Sequence, residues 1–422
     1  MEVNTYLIII LIIIATEFLI SLVVSLLDFY YKPTTSSSSV KKDYIKAKRY
    51  LRTKIKFKTF NLIINTIILL AMILSGILNN LDIFTRALGY GSVVTGIIFL
   101  GIIGVVFFLI GIPFSIFNIF YIEKKYGFNK ITPKIFIIDL IKNIIGWIII
   151  GAGGLAVILL FFEKAGSAAW IYCWLFLTTS QIFLMFIYPV FILPIFNKLQ
   201  ILKDGELKKE IKEYLETQNI SIKMDNIRII DSSKRTNKSN AFLCGFGKNK
   251  RLVLSDTLLK SHTIPEIVAI VAHEIGHLKK KHIFKKFILY TIESFLIFYL
   301  LSLAIQNTNF FLAFGVENIS VYLGLMLFSI VYFPIAFFFS TITNYFSKKY
   351  EYDADDFSAG TTTPENMVTA LDKLGSHNLT NPTPHPATVF LNYSHPPIQD
   401  RIKRIRSRLK PVNLFDIRKE DK

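Results

Sequence analysis

Two histidines stand four residues apart in an apolar stretch of the chain, with a glutamate directly after the first: His273-Glu274-Ile275-Gly276-His277. Residues four apart lie on one face of a helix, so both imidazoles can bind one metal ion, with Glu274 beside the metal's open position. Three protein ligands plus a water is the catalytic zinc arrangement, in which the metal lowers the pKa of the water and Glu274 can remove its proton. Because so short a motif also arises by chance on helices, the hypothesis needs a third ligand from elsewhere in the chain.

An acidic cluster further along the chain, Glu351-Tyr352-Asp353-Ala354-Asp355, offers that ligand. Glu351 is the predicted third ligand, since two-histidine sites usually take a carboxylate. Asp355 follows one helical turn later on the same face, where it can accept a hydrogen bond from a ligand histidine and fix its tautomer. The alternative is a solvated acidic face that balances Lys348-Lys349. The apolar residues interleaved with the cluster argue against that alternative.

The chain that carries these residues is too apolar for an ordinary soluble protein. It has 422 residues, of which 52% are hydrophobic, and a mean hydropathy of +0.47. Such a composition predicts a mainly α-helical, polytopic membrane protein. Seven stretches are long and apolar enough to span a bilayer: 6–27, 60–78, 93–114, 143–162, 168–195, 287–305 and 321–342.

The basic residues predict the orientation of these spans. The loop after the first span, 41–58, is rich in lysine and arginine, whereas the next loop offers only Arg86 and the loop 306–320 has neither residue type. The positive-inside rule therefore places the amino terminus outside and the carboxyl tail in the cytoplasm. We expect four parts: spans one to five (1–196), a cytoplasmic segment with the zinc-binding helix (197–286), spans six and seven (287–343), and a cytoplasmic tail that completes the active site (344–422).

The net charge of +18 lies mainly in the predicted cytoplasmic parts. It fits attraction to anionic lipid head groups, and no nucleic-acid-binding motif accompanies it. The two cysteines, Cys173 and Cys244, provide neither a disulfide framework nor a four-cysteine zinc site.

The segment between spans five and six predicts a small α+β part. A helix is expected over 205–218, a strand over 227–230, and a hairpin from 241–245 and 252–255 that leads into a helix beginning near Pro265. An extended peptide can add to the edge of such a sheet through backbone hydrogen bonds, which would hold its scissile carbonyl near the zinc. We expect His262 and His282 on solvated helix surfaces.

Beyond the two zinc motifs, several ordered stretches resemble the integral-membrane CAAX prenyl proteases of the type that converts yeast mating factor. They span nearly the whole chain: Ile112-Pro113-Phe114-Ser115, Glu123 to Lys130, Tyr188-Pro189, Pro194 to Lys198, Ser239-Asn240-Ala241, Gly247 to Leu258, and Ser394-His395-Pro396-Pro397 with Arg401. The resemblance implies a barrel of about seven transmembrane helices around a chamber, with one zinc ion per chain. It also implies a reaction, hydrolysis of a peptide bond near the carboxyl terminus of a peptide or prenylated protein.

The resemblance further implies roles for individual residues. The zinc ligands would be His273, His277 and Glu351, and Glu274 would be the general base. The family often assigns Asp355 a proton-donor role, but its spacing from Glu351 favours orienting a ligand histidine. Three more groups of residues are implied: His395 for polarising the scissile carbonyl or stabilising the oxyanion, Asn240 and Ala241 for holding the substrate backbone, and Arg401 for contacts nearby.

Two departures from the family pattern affect the substrate and the host. Lys348-Lys349 stands where an arginine pair is common, and lysine cannot make a bidentate guanidinium contact. The stretch Thr383-Pro384-His385-Pro386 is closer to prokaryotic members, which favours a prokaryotic cell membrane, with the endoplasmic reticulum membrane as the alternative in a eukaryote.

Two other functions stay open from the sequence. One is a quality-control zinc protease of the HtpX heat-shock type, which shares the zinc motifs but has fewer spans. The other is a transporter or channel with structural zinc, since several spans with intramembrane carboxylates also suit transport. That function has no use for Glu274.

Overall fold

A computed structural model of the chain describes residues 5–31 and 41–409. Most of these residues are helical, and the small sheet lies between the fifth and sixth long apolar helices in the chain. The helices are α1 (Thr5–Tyr30), α2 (Lys41–Leu74), α3 (Ile77–Ala87), α4 (Ser92–Glu123), α5 (Pro133–Lys164), α6 (Gly166–Phe196), α7 (Glu206–Thr217), α8 (Asp256–Ser261), α9 (Ile264–Lys279), α10 (His282–Ile305), α11 (Thr308–Leu312), α12 (Val321–Val331), α13 (Phe333–Thr361), α14 (Pro364–Asn378), α15 (Pro386–Asn392) and α16 (Ile398–Leu409). The strands are β1 (Leu199–Ile201), β2 (Ile227–Ile230), β3 (Ala241–Cys244) and β4 (Arg251–Ser255).

The long apolar helices agree with the predicted spans. Within the described residues, six helices (α1, α2, α4, α5, α6 and α10) are long and apolar enough to cross a membrane. Helices α12 and α13, bent by 58° at their junction, make a seventh if they count as one span. The second predicted span extends too far, because α2 ends at Leu74 and Gly76 adopts a left-handed φ of 71°. Glycine accepts that conformation without a Cβ clash, so the chain turns there and starts the separate helix α3.

The first of two compact units comprises the segments up to Tyr30, Arg52–Leu184 and Lys286–Ile342. Its core is built from large apolar side chains such as Phe99, Phe311 and Phe314, each no more than 1% exposed. By contrast, the apolar residues 147–150 on α5 are all more than half exposed. An extended apolar surface of this kind suits a lipid solvent rather than water.

A buried carboxylate in this first unit is fully paired. Asp82 is inaccessible to solvent. Its two carboxylate oxygens share the Nε–H of Arg86, at 3.0 and 2.8 Å, and one of them also accepts a hydrogen bond at 2.5 Å from the hydroxyl of Tyr322. A buried charge is tolerated when it is paired and hydrogen-bonded. The cluster therefore joins α3 to α12 without leaving an unsatisfied polar group.

The second compact unit comprises Tyr31–Leu51, Met185–Lys285 and the chain from Thr343 onward, and it contains the sheet. The strand order is β1-β2-β4-β3, with β2 and β4 parallel and the two outer pairs antiparallel. Strand β2, helix α7 and the β3–β4 hairpin confirm the predicted elements. Strand β1 was not predicted, because its three residues are too few to show an alternating pattern.

Helix α9 carries the two histidines of the motif and begins where the sequence predicts. Thr263 and Glu266 form a capping box, in which the Glu266 carboxylate accepts the Thr263 backbone N–H at 2.8 Å. The apolar face of α9, which includes Ile267 and Val271, belongs to the same buried apolar cluster as Leu254 of β4. The sheet therefore supports the helix directly behind the motif.

The expectation that His262 lies on a solvated surface is wrong. Its residue is 8% exposed, its Nε2 lies 3.3 Å from the carbonyl oxygen of Ala370, and its Nδ1 lies 2.8 Å from the hydroxyl of Ser261. Both ring nitrogens are thus used by a neutral imidazole that donates from Nε2 and accepts at Nδ1. The sequence hides this because one partner, Ala370, comes from another helix, α14.

This arrangement predicts acid sensitivity. Burial lowers the pKa of His262 in the folded protein; the backbone hydrogen bond to Ala370 and the charge of Glu266 oppose the shift, while Lys373 and His377 add to it. A lowered pKa means that the unfolded chain binds more protons, so stability rises with pH. The contribution of His262 is complete above its unfolded pKa of about 6.5 and is lost as the pH falls below that value.

We therefore expect the thermal unfolding temperature of detergent-purified protein to drop between pH 7.5 and pH 5.0. The drop should be smaller in His262→Gln, which keeps an amide donor for Ala370 but cannot titrate. Parallel pH profiles of the two proteins would show that His262 does not contribute.

Candidate metal centre and active site

The three predicted metal ligands meet in the second unit. Nε2 of His273 lies 3.2 Å from Nε2 of His277, and the Glu351 oxygens lie 3.5 and 3.4 Å from these two nitrogens. Two ligands on a tetrahedral zinc ion, with bonds of about 2.0–2.1 Å, are roughly 3.3 Å apart. The nitrogen and oxygen donors and their spacing therefore fit a zinc ion with three protein ligands and an open position.

The approach of α13 to α9 depends on a glycine in the motif. A Cβ atom at Gly276 would lie 3.0 Å from Cα of Ala354 and 3.2 Å from its carbonyl oxygen. One turn away, the hydroxyl of Ser358 donates to the carbonyl oxygen of Ala269 at 2.7 Å. The missing side chain and this hydrogen bond let the two helices pack closely enough for Glu351 to reach both imidazoles.

Asp355 lies behind the ligand set, not in its open part. It is inaccessible to solvent, and its Oδ1 lies 2.9 Å from Nδ1 of His273. Arg401 of α16 donates to both of its oxygens, at 2.7 and 2.6 Å, and also lies 3.5 Å from an oxygen of Glu351. Arg401 is itself only 7% exposed, and its guanidinium group contacts two site carboxylates, those of Asp355 and Glu351.

Glu274 is directed toward the edge strand. Burial raises the pKa of its carboxyl group, which the adjacent imidazoles of His273 and His277 oppose. The backbone N–H of Leu243 on β3 hydrogen-bonds this carboxyl group. A carboxylate with a raised pKa beside a metal site has the properties of a general base.

His395 reaches the ligand set from a loop before α16. Its Nε2 lies 3.3 Å from Oε1 of Glu351, and its side chain is 66% exposed. It is therefore both close to the metal ligands and open to solvent, as a residue that contacts substrate must be.

Lys348 holds the chain that leads to His395. Its ammonium group donates to the carbonyl oxygens of Val389, Phe390 and Tyr393 at 2.8, 3.1 and 3.1 Å. Three N–H donors and three backbone acceptors match one to one. From the sequence we expected only the loss of the bidentate contact that an arginine would make at this position. The structure shows that the lysine instead binds three backbone carbonyl oxygens.

Asn240 and Ala241 stand at the start of β3, which is an edge of the described sheet. The backbone N–H of Asn240 donates to the hydroxyl of Ser255, and the backbone N–H of Ser255 donates to the carbonyl oxygen of Asn240, both at 2.9 Å. The side chain of Asn240 is exposed. Strand β3 pairs with β4 on one side only, so it is an edge strand of the described sheet.

Sequence reasoning missed one residue at the site. His282 is 1% exposed, contrary to the expectation of a solvated surface, and its Nδ1 lies 2.9 Å from Nδ1 of the ligand His277. The spacing of five residues gave no helical signal, because the chain turns between α9 and α10.

Comparison with known protein families agrees with this site. Residues 32–198 match a model described as the CAAX prenyl protease N-terminal domain with five membrane helices, and residues 202–409 match peptidase family M48. Together the two models cover most of the chain. The second one contains every residue of the site described above.

Individual relatives cover most of the chain as well. The CAAX prenyl protease 1 of Saccharomyces cerevisiae is 33% identical over 383 residues, 85% of this chain and 84% of that protein. A CAAX prenyl protease 1 homolog of Arabidopsis thaliana is 36% identical over 295 residues, 70% of this chain and 69% of that protein.

The crystal structure of S. mikatae Ste24p superposes with a TM-score of 0.89 at 30% identity, over 95% of this chain and 99% of the other. This agreement confirms the expected fold class, a helical membrane protein with a small sheet. The chain therefore belongs to peptidase family M48 and is a multi-pass membrane metallopeptidase of the CAAX prenyl protease family.

Proposed function

We propose that this protein is a zinc endopeptidase that cuts peptides near their carboxyl terminus, with prenylated CAAX sequences as its substrate class. The observation that carries the proposal is the meeting of His273, His277 and Glu351 at ligand distances, with Glu274 beside them. Relatives named CAAX prenyl proteases support the substrate class. The zinc itself is proposed because two imidazoles and a carboxylate form a common catalytic zinc set.

The chain's own residues can carry the proton transfers of hydrolysis. Bound zinc would polarise the scissile carbonyl and lower the pKa of a coordinated water. Glu274 would take the proton of the attacking water and give it to the leaving amine. No covalent intermediate with the protein is needed, because the attacking nucleophile is a water molecule.

The remaining residues would hold the substrate and the ligands. His395, which is exposed beside Glu351, would donate a hydrogen bond to the developing oxyanion. Asn240 and Ala241 would bind an extended peptide along the β3 edge. Asp355 would orient His273, since its carboxylate bonds the outer nitrogen of that ring and is sealed from the open side by Arg401. We retain substrate contact by Arg401 as a second hypothesis.

The orientation and the four sequence parts are also proposals. The positive-inside rule supports an external amino terminus and a cytoplasmic carboxyl tail. The segments 197–286 and 344–422 would then lie on one side of the membrane, as their joint contribution to the ligand set requires. We propose the cell membrane of a prokaryotic host or, in a eukaryote, the endoplasmic reticulum.

The proposal is tested by cleavage of a farnesylated CAAX peptide by the purified protein in detergent, with the products identified by mass spectrometry. We expect release of the last three residues as a tripeptide, and loss of activity with a zinc chelator that added zinc restores. The same peptide without the farnesyl group is the matched control. Equal cleavage of both peptides would refute prenyl selectivity. No cleavage of either by zinc-loaded protein would refute the CAAX substrate class, and membrane-protein peptides would then test a quality-control role.

A further inference from the structure

The two ligand histidines differ in what supports their outer nitrogens. Nδ1 of His273 bonds the carboxylate of Asp355, as is usual for a metal-binding histidine. Nδ1 of His277 has a histidine as its partner, Nδ1 of His282 at 2.9 Å. A ring nitrogen can accept as well as donate, so this second contact fixes a tautomer in both rings.

The direction of the hydrogen bond follows from the metal site. A metal at Nε2 of His277 uses the lone pair of that nitrogen, so the ring proton must lie on Nδ1. Nδ1 of His277 then donates to Nδ1 of His282, which must accept. The proton of His282 therefore lies on Nε2, which faces the carboxylate of Asp353 at 4.0 Å.

The position of His282 is set by packing and by backbone geometry. Its ring stacks on Tyr350 with centroids 4.3 Å apart and planes 12° from parallel, and Nζ of Lys285 lies 5.5 Å from the same tyrosine ring. Lys281, between α9 and α10, has a left-handed φ of 55°. That conformation is uncommon for a residue with a side chain. At this turn the chain leaves α9, and the first residue of α10 lies beside the last turn of α9.

We infer that His282 is a positioning residue for the metal ligand His277, whose tautomer and ring orientation it sets from 2.9 Å away. The inference rests on the proposed metal site. Removing a partner of this kind from a ligand histidine typically weakens metal binding by about 10- to 100-fold. Metal affinity is therefore the quantity to measure.

Two variants separate the hydrogen bond from the packing. His282→Phe keeps a flat ring to stack on Tyr350 but removes the acceptor, whereas His282→Asn places an amide oxygen near the former Nδ1 position. Zinc affinity is measured on the full-length protein in detergent by competition with a chromophoric chelator. The d–d absorption of the cobalt-substituted protein gives a second readout of ligand geometry.

We expect His282→Phe to bind zinc about 10- to 100-fold more weakly, with an altered cobalt spectrum, and His282→Asn to recover most of the affinity. Wild-type affinity in a folded His282→Phe protein would overturn the inference. Equal weakening in both variants would also overturn it, because the acceptor would then not matter. Glu351→Gln tests the proposed metal site on which the inference rests. If this variant leaves zinc binding unchanged, the metal site itself is wrong and not only the role of His282.

Discussion

Replacing Glu274 by glutamine is expected to reduce the turnover of a cleaved peptide by about 10²- to 10⁴-fold while the protein keeps its bound metal. Glutamine has nearly the same shape and can still interact with the N–H of Leu243, but it cannot accept a proton. The loss should appear in kcat with little change in KM, because an interaction with the reacting water is removed and not one with the bound peptide. Turnover kinetics and metal analysis of the same preparation check both parts.

A matched change controls for the loss of one carboxylate. Glu210→Gln alters an exposed glutamate of α7 outside the ligand set and should leave both turnover and metal content unchanged. If the Glu274→Gln protein binds zinc, is folded and cleaves within a few-fold of wild type, Glu274 is not the base. A structural zinc in a transporter or channel would then become the better explanation.

Replacing Arg401 by methionine is expected to destabilise the protein by about 3–5 kcal/mol, because breaking a buried ion pair leaves an uncompensated charge. Arg401 and Asp355 are both buried, and the two hydrogen bonds between them join α16 to α13 behind the metal ligands. The unpaired Asp355 carboxylate would also be free to shift away from His273. We therefore expect lower metal affinity as well, measured beside chemical unfolding in detergent.

The neighbouring Arg404 provides the matched control. Arg404 lies on α16, as Arg401 does, and pairs with Asp356 of α13 at 2.8 Å, but 38% of the Arg404 side chain is exposed. An exposed pair contributes about 0–1 kcal/mol, so Arg404→Met should cost far less than Arg401→Met. Equal costs would contradict the importance of the buried pair.

The double variant Asp355→Asn with Arg401→Met tests the reason for the loss. It removes both charges, so it should recover part of the stability that Arg401→Met loses, without recovering activity. If Arg401 acts instead by contacting substrate, Arg401→Met would raise KM and leave stability unchanged. The two roles of Arg401 therefore predict different measurements.

Local patterns in the sequence determined much of the fold. The long apolar stretches gave the spans because burying a polar backbone in lipid requires a helix of bilayer length. The helix over 206–217, strand β2 and the β3–β4 hairpin followed from residue periodicity and turn residues. The limits of this reasoning appear at Gly76, where one backbone angle divides a largely apolar stretch, and at β1, which is too short to show a period.

The sequence by itself also determined the metal ligands as candidates. His273 and His277 share one helix face through their four-residue spacing, and a two-histidine site usually takes a carboxylate, which Glu351 offers. Only the tertiary structure decided what surrounds them. Helix α13 packs on Gly276, and Arg401 lies between two site carboxylates, so residues far apart in the chain meet there. The turn at Lys281 brings His282 to His277 from the next helix. Such contacts depend on side-chain packing between elements, and no periodic pattern along one element records them.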